Sequence, residues 1–305
     1  MRDVFCQSLV EASRIPELVF LTGDLGYKAL EPLRASLGAR FINAGVAEQN
    51  MVSVAAGLAR GGLRPWVYSI APFAYARPFE QIRNDICFHG LPVVVVGNGG
   101  GYGYGVMGAT HHALEDIGVM VSLPGMRAYV PAFDGDLRAI VDLLMRAPRP
   151  AYLRLGLSEG PADAAPPPYA PWRRLVDGRG WVVLVTGPLV GGIWDAVRRL
   201  DDDQRPALWL LTELPPEEIP DAFLEDLARS RRLLVVEEHF AQGGVASMIA
   251  RAVLERGRSP GQFAARTAQG YPSGRYGSQK FHRRECGLDP ASIVDFLTAE
   301  HAKNG

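Results

Sequence analysis

Gly45-Val46-Ala47-Glu48-Gln49-Asn50 opens a helical pattern over 47–60, with Val46, Val54, Ala55 and Leu58 as apolar positions. A β-rich run at 65–69 follows, then Pro72-Phe73-Ala74-Tyr75-Ala76-Arg77 at the head of a second helical pattern over 73–88. The next β-rich run, 92–96, is Pro92 and four valines, and leads through a glycine-rich stretch to Gly108-Ala109-Thr110-His111-His112. Short β-rich runs alternating with helical segments imply crossover connections, and crossovers build a mostly parallel sheet. The chain therefore reads as α/β. In order along it come a carboxylate just inside a helix start, an aromatic one strand later and a histidine after the next strand.

The alternation extends both ways. Further strands are expected at 18–21, 40–42, 127–130 and 151–155, and further helices at 114–121 and 134–145. Between 158 and 179 the chain carries Pro161, Pro166, Pro167, Pro168 and Pro171 with little apolar periodicity, which reads as an extended linker. Beyond it the pattern repeats, with strands at 181–186, 207–211 and 233–237 and helices near 193–200, 223–228 and 246–255. Two α/β domains in tandem are expected, over 1–157 and 180–305.

With 305 residues, 48% of them hydrophobic, the chain can bury a sizeable core. Its 32 basic and 33 acidic residues are spread along the sequence, for a formal charge of −1. Nucleic acid and anionic membranes both need clustered cations, so neither is an expected partner. Cys6, Cys87 and Cys286 are odd in number and far apart, which argues against a disulfide framework or a zinc site and fits a reducing cytoplasm. The first residues lack the apolar core of a signal peptide, and no apolar run reaches the length of a membrane span.

Taken singly, the candidate residues allow ordinary readings. A carboxylate in a helix's first turn complements the partial positive charge there; at a pocket mouth it could instead meet a ligand nitrogen. Phe73 after a strand suits the core or offers a flat π-face. Adjacent histidines rarely converge on one ion, and no His/Cys/carboxylate set lies near His111 and His112 at ligand spacing, so no metal site is expected in this chain. Gly103-Tyr104-Gly105-Val106-Met107-Gly108 satisfies G-x-G-x-x-G literally. A dinucleotide fingerprint needs the glycines at the turn leaving the strand and a helix at once, whereas the strand ends near Val96 and Thr110-His111-His112 intervenes. That stretch reads as a flexible substrate-side loop. Arg154 ends the strand at 151–155, where it could simply close the strand against solvent.

Ala47-Glu48-Gln49-Asn50, Phe73 and Thr110-His111-His112, in that order, resemble the pyrimidine-binding domain of transketolase-type enzymes that use thiamine diphosphate. The whole chain resembles about the last half of a full-length transketolase. The resemblance implies a catalytic role for Glu48, which in the family bonds the aminopyrimidine and promotes the imino tautomer that deprotonates the thiazolium. It implies that Phe73 stacks on the pyrimidine, while Ile70 stands where relatives often have a second aromatic and can cover the ring. Asp24 and Leu25, in Thr22-Gly23-Asp24-Leu25-Gly26, match an aspartate that lines the cofactor cleft and a leucine that wedges the cofactor into its bent form. His111 matches a histidine over the thiazolium that bonds substrate oxygens, and His112 replaces a glutamine. Arg154 matches an arginine that grips a sugar phosphate with its planar fork. Val236-Glu237-Glu238-His239 followed by Gly243-Gly244 resembles the family's C-terminal domain, where His239 would be structural.

The family also marks a diphosphate–Mg²⁺ site by Gly-Asp-Gly and a later asparagine, and nothing like it occurs in this sequence. The resemblance thus implies a separate diphosphate-binding partner subunit that holds Mg²⁺, a two-plus-two heterotetramer, and a chain inactive alone. Two departures bear on the substrate. Met107 stands where relatives carry an aspartate that senses donor hydroxyl configuration, and Gly99 stands where they often have histidine. The expected activity is ketol transfer between sugar phosphates with specialised specificity. The alternatives are the β subunit of a 2-oxo acid dehydrogenase-type decarboxylase, or a non-catalytic assembly subunit.

Overall fold

The computed structural model describes residues 1–25, 29–161 and 164–302. Residues 162 and 163 of the expected linker, and 303–305 of the expected second domain, lie outside the described residues.

The strands are β1 (Leu18–Thr22), β2 (Phe41–Asn43), β3 (Arg64–Ile70), β4 (Val94–Asn98), β5 (Arg127–Tyr129), β6 (Ala151–Leu155), β7 (Trp172–Val176), β8 (Val182–Thr186), β9 (Ala207–Leu211), β10 (Glu213–Leu214), β11 (Arg232–Val236) and β12 (Gln262–Arg266). They form a seven-stranded sheet in the order β10-β5-β6-β4-β3-β1-β2 and a five-stranded sheet in the order β12-β11-β8-β9-β7. All pairings are parallel except β10 with β5 and β7 with β9. The two-sheet α/β architecture is the one expected. Its central strands β1, β6 and β8 are buried along their whole length, as parallel strands covered on both faces must be.

One face of the first sheet is covered by helix Glu48–Arg60 and the segments after β3. Helices Arg2–Ala12, Glu31–Leu37 and Asp136–Arg146 cover the other. The first of these cores runs on through Val182, Leu184, Trp209 and Val235, so the two sheets share continuous apolar packing.

Several elements depart from the sequence reading. The expected helix over 73–88 is broken into Ala71–Tyr75, Phe79–Gln81 and a wide π-type turn, Ile82–Cys87. Pro78 sits at the break; it has no N–H to give and forbids a continuous ladder. The proline-rich stretch is not linker to its end, because β7 pairs antiparallel with β9 as an edge strand. Arg173 on β7 places both Nη atoms 2.7 Å from the carboxylate of Asp136, in the first turn of helix Asp136–Arg146. Both side chains are buried, and the pair pins this edge to the first half of the chain. Among the described residues no helix is long and apolar enough to cross a membrane.

The glycine-rich stretch is not a flexible loop either. Tyr102 is fully buried, its N–H donates to Glu238 Oε1 at 2.6 Å, and its hydroxyl donates to the Gly270 carbonyl at 2.8 Å. Gly101 needs to be glycine: φ is +65° and a Cβ there would come within 2.6 Å of Glu238 Oε1. Glu238 also accepts from Gln279 at 2.9 Å and pairs with Arg283 at 2.7 Å, which clamps the loop onto the second half of the chain.

Candidate active site

The candidate residues gather where the first sheet's parallel strands end, the edge at which open α/β sheets bind ligands. β3 ends at Ile70, paired with Asn98 at the end of β4, and β1 ends at Thr22, paired with Asn43 at the end of β2. Asp24 follows β1. Its carboxylate accepts from Asn43 Nδ2 at 3.1 Å, and Asn43 in turn accepts the Gly45 N–H at 2.9 Å. That stitching fixes the turn that delivers Glu48. Leu25, half-buried, folds back so that its N–H reaches the Gly23 carbonyl at 2.8 Å.

Glu48 is the first residue of helix Glu48–Arg60 and is only 6% exposed. A carboxylate that serves only the helix terminus would point to solvent. This one points inward: Ser69 Oγ on β3 lies 3.4 Å from Oε1, and Arg77 Nη1 donates to the same oxygen at 2.9 Å. The Arg77 guanidinium carbon also stands 3.8 Å from the centroid of the Phe73 ring. Phe73, half-buried in the short helix Ala71–Tyr75, meets His111 edge-on with ring centroids 5.3 Å apart. Thr110 Oγ1 lies 2.9 Å from His111 Nδ1 and orients that ring. Glu48, Phe73 and His111, from three separated stretches of sequence, are thus brought together. Ile70, the last residue of β3, is half-buried.

On the other side of His111 stands Tyr104, with ring centroids 5.7 Å apart. Its hydroxyl accepts from Asn98 Nδ2 at 2.8 Å. Gly99 has φ +73° and no room for a side chain, because the Tyr104 ring fills the space a Cβ would need. Tyr104 and Asn98 therefore supply the polar groups beside Gly99. Met107 lies on the 3₁₀ turn Gly105–Thr110, 53% exposed beside Val106 at 71%, so an apolar surface flanks the histidine.

Two of the expected substrate-side residues have partners within the protein. Arg154, expected to grip a phosphate, is buried and bonded within the protein. Its Nε lies 3.1 Å from Asp116 Oδ2, and Nη2 donates to the carbonyls of Ala113 and Glu238, both at 2.9 Å. Asp116 is fully buried and also accepts from the Tyr152 hydroxyl at 2.7 Å, so Arg154 takes part in an internal network joining the two halves. His112 is buried at the same seam. Nε2 donates to the Gly105 carbonyl at 2.8 Å, which leaves Nδ1 to accept from Tyr271 Oη, also at 2.8 Å. Burial lowers its pKa below the ordinary imidazole value, which favours the neutral ring. His239, fully buried, plays a similar part: Nδ1 donates to the Phe240 carbonyl at 2.7 Å and Nε2 accepts the Gly118 N–H at 3.1 Å. Glu237 beside it caps helix Val245–Glu255 through the N–H groups of Val245 and Ala246, while burial pushes its carboxyl up to about 7.

Sequence reasoning passed over Ser69, Asn98, Tyr104 and, above all, Arg77. The last stands within one of the quoted stretches, four residues after Phe73, but nothing in the pattern told it from a solvated surface arginine. Among the described residues no group of three or more His, Cys, Asp or Glu side chains is placed to hold a metal ion.

Comparison with known proteins identifies the family. Residues 5–161 match the family model described as the pyrimidine-binding domain of transketolase. One of the subunits of the apulose-4-phosphate transketolase of Phocaeicola vulgatus is 31% identical over 261 residues, 83% of this chain and 83% of that protein. The 6-deoxy-6-sulfo-D-fructose transketolase subunit of a Clostridium species is 34% identical over 157 residues, 51% of this chain and 49% of that one. Among solved structures, a split-gene transketolase described as an inactive β4 tetramer aligns with a TM-score of 0.81 and 28% identity, covering 98% of this chain and 96% of that one. The chain belongs to the transketolase family, as a subunit corresponding to the C-terminal half of the enzyme.

Proposed function

We propose that this chain is the pyrimidine-side subunit of a thiamine-diphosphate-dependent transketolase that moves a two-carbon ketol unit between anion-bearing sugars. The observation that carries the reading is a buried Glu48 carboxylate facing a half-buried Phe73 ring, with a flat nitrogen-bearing group already held between them. An aminopyrimidine needs the same two partners, so the residues present fit the group. When bound, thiamine diphosphate supplies the carbon nucleophile for ketol transfer.

This chain's own residues do the rest. Glu48 holds a hydrogen bond to the ring and keeps a proton mobile there, in a setting screened from water. Phe73 offers the stacking face, with Ile70 covering it. Asp24 and Leu25 line the cleft. His111, oriented by Thr110 and flanked by Tyr104, presents a ring nitrogen to substrate oxygens. The Mg²⁺ and diphosphate contacts fall to a separate partner subunit, in a two-plus-two heterotetramer and a cytoplasmic setting. The apolar Met107 leaves one hydroxyl reader fewer on the substrate side, while beside Gly99 Tyr104 and Asn98 take the place of an imidazole. The named relatives handle apulose 4-phosphate and 6-deoxy-6-sulfo-D-fructose, both unusual anionic sugars, which supports a similarly specialised substrate class.

The test is turnover of the reconstituted complex on a panel of branched, deoxy and ordinary ketose phosphates, sulfonated ketoses and 2-oxo acids. The expected result is ketol transfer from a non-standard anionic ketose at a higher kcat/KM than from xylulose 5-phosphate. Decarboxylation of 2-oxo acids without ketol transfer would contradict the proposal.

A further inference from the structure

Arg77 engages both residues assigned to the pyrimidine. One guanidinium makes the 2.9 Å bond to Glu48 Oε1 and lies 3.8 Å over the Phe73 ring. A flat cation that bonds a carboxylate while lying on an aromatic face makes the two contacts an aminopyrimidine would make. Because one guanidinium occupies both the Glu48 oxygen and the space over the Phe73 ring, a group that makes the same two contacts must take its place.

We propose that Arg77 is a built-in occupant of the cofactor half-site, and that the pyrimidine binds only by displacing it. The inference rests on the function proposed above and deepens it. Three features support it. Glu48 is 6% exposed, and its other side-chain partner, Ser69, is at a long 3.4 Å, so without Arg77 a buried carboxylate would be left nearly unpaired. The Arg77 side chain is 43% exposed, which leaves it free to swing into solvent once another donor reaches Glu48. Pro78 directly after it breaks the helix, so the arginine sits at a chain discontinuity rather than within a rigid turn.

Occupancy by Arg77 reduces the fraction of subunits ready to bind, and apparent affinity falls by that fraction. A cation–π contact and an ion pair at a partly exposed site together amount to a factor of about 3–30 in binding. The contact also keeps the half-site closed to other flat nitrogenous molecules before assembly.

The test is calorimetric titration of thiamine diphosphate with Mg²⁺ into the enzyme reconstituted with its partner subunit, comparing wild type, Arg77→Ala and Arg77→Lys. Arg77→Ala should bind about 10-fold more tightly, and Arg77→Lys, which keeps the charge but loses the flat stack, should fall between. The cofactor-induced rise in Tm should increase in the same order, a readout independent of turnover. If wild type binds and Arg77→Ala binds equally or more weakly, the inference is overturned while the proposed function stands. If no protein in the set binds, both fall.

Discussion

Glu48→Gln in the assembled enzyme should lower kcat by about 10²–10⁴-fold, the range typical for loss of one acid–base group. Glutamine keeps the shape and can still bond Ser69 and Arg77, so packing around helix Glu48–Arg60 should survive. What it cannot do is hold or release a proton at the ring. The comparison is kcat and KM for both proteins, with thermal unfolding as the control for folding. An unchanged kcat would reduce Glu48 to a helix-start charge that happens to be buried.

The largest effect on stability is expected far from that chemistry. Asp136→Ala should destabilise the fold by about 3–5 kcal/mol, because it strands a buried guanidinium. Arg173 is 4% exposed and would lose both of its 2.7 Å bonds to the carboxylate. The carboxylate also accepts the N–H groups of Ala132 and Phe133 at 3.0 and 3.1 Å, so the loop before helix Asp136–Arg146 would lose its anchor. Denaturant unfolding of wild type and variant measures the difference. Pairing Asp136→Leu with Arg173→Met should recover part of the loss by removing both charges. A single variant as stable as wild type would show that the pair contributes nothing to holding β7 against the first half.

What the sequence revealed follows from how far each residue's partners lie from it. The alternation of strands and helices is local, so β1, β3, β4, β6 and β8 were legible within a residue or two. The position of Glu48 was legible because a helix start is written in neighbouring residues, and those of Phe73 and His111 because each follows a strand. The edge strands β10 and β12 were not, being short or half-exposed and lacking an alternating pattern. β7 hid behind five prolines. Helix Arg2–Ala12 buries Phe5, Cys6, Leu9 and Ala12 on one face, a period the reading did not register.

The partners of Arg154 and His112 were hidden for a different reason. Arg154 ends a strand as expected, yet its partners Ala113, Asp116 and Glu238 are distant in sequence and converge on it only through the seam between the two sheets. His112 sits next to a histidine that faces the site, but adjacent residues after a turn point different ways, and Tyr271 claims it from the far half of the chain. Arg77 was invisible because its significance lies in spanning Glu48 and Phe73 at once, a geometry that spacing along the chain does not express.

Calorimetry with thiamine diphosphate and Mg²⁺ decides whether this chain holds half of a shared cofactor site. Titrated alone, the subunit should show no tight, Mg²⁺-dependent binding; reconstituted with a diphosphate-binding partner, it should bind one cofactor per pair of subunits. Micromolar, Mg²⁺-dependent binding by the isolated chain would mean that the site is complete without a partner, and a reconstituted complex that binds none would mean that there is no shared site.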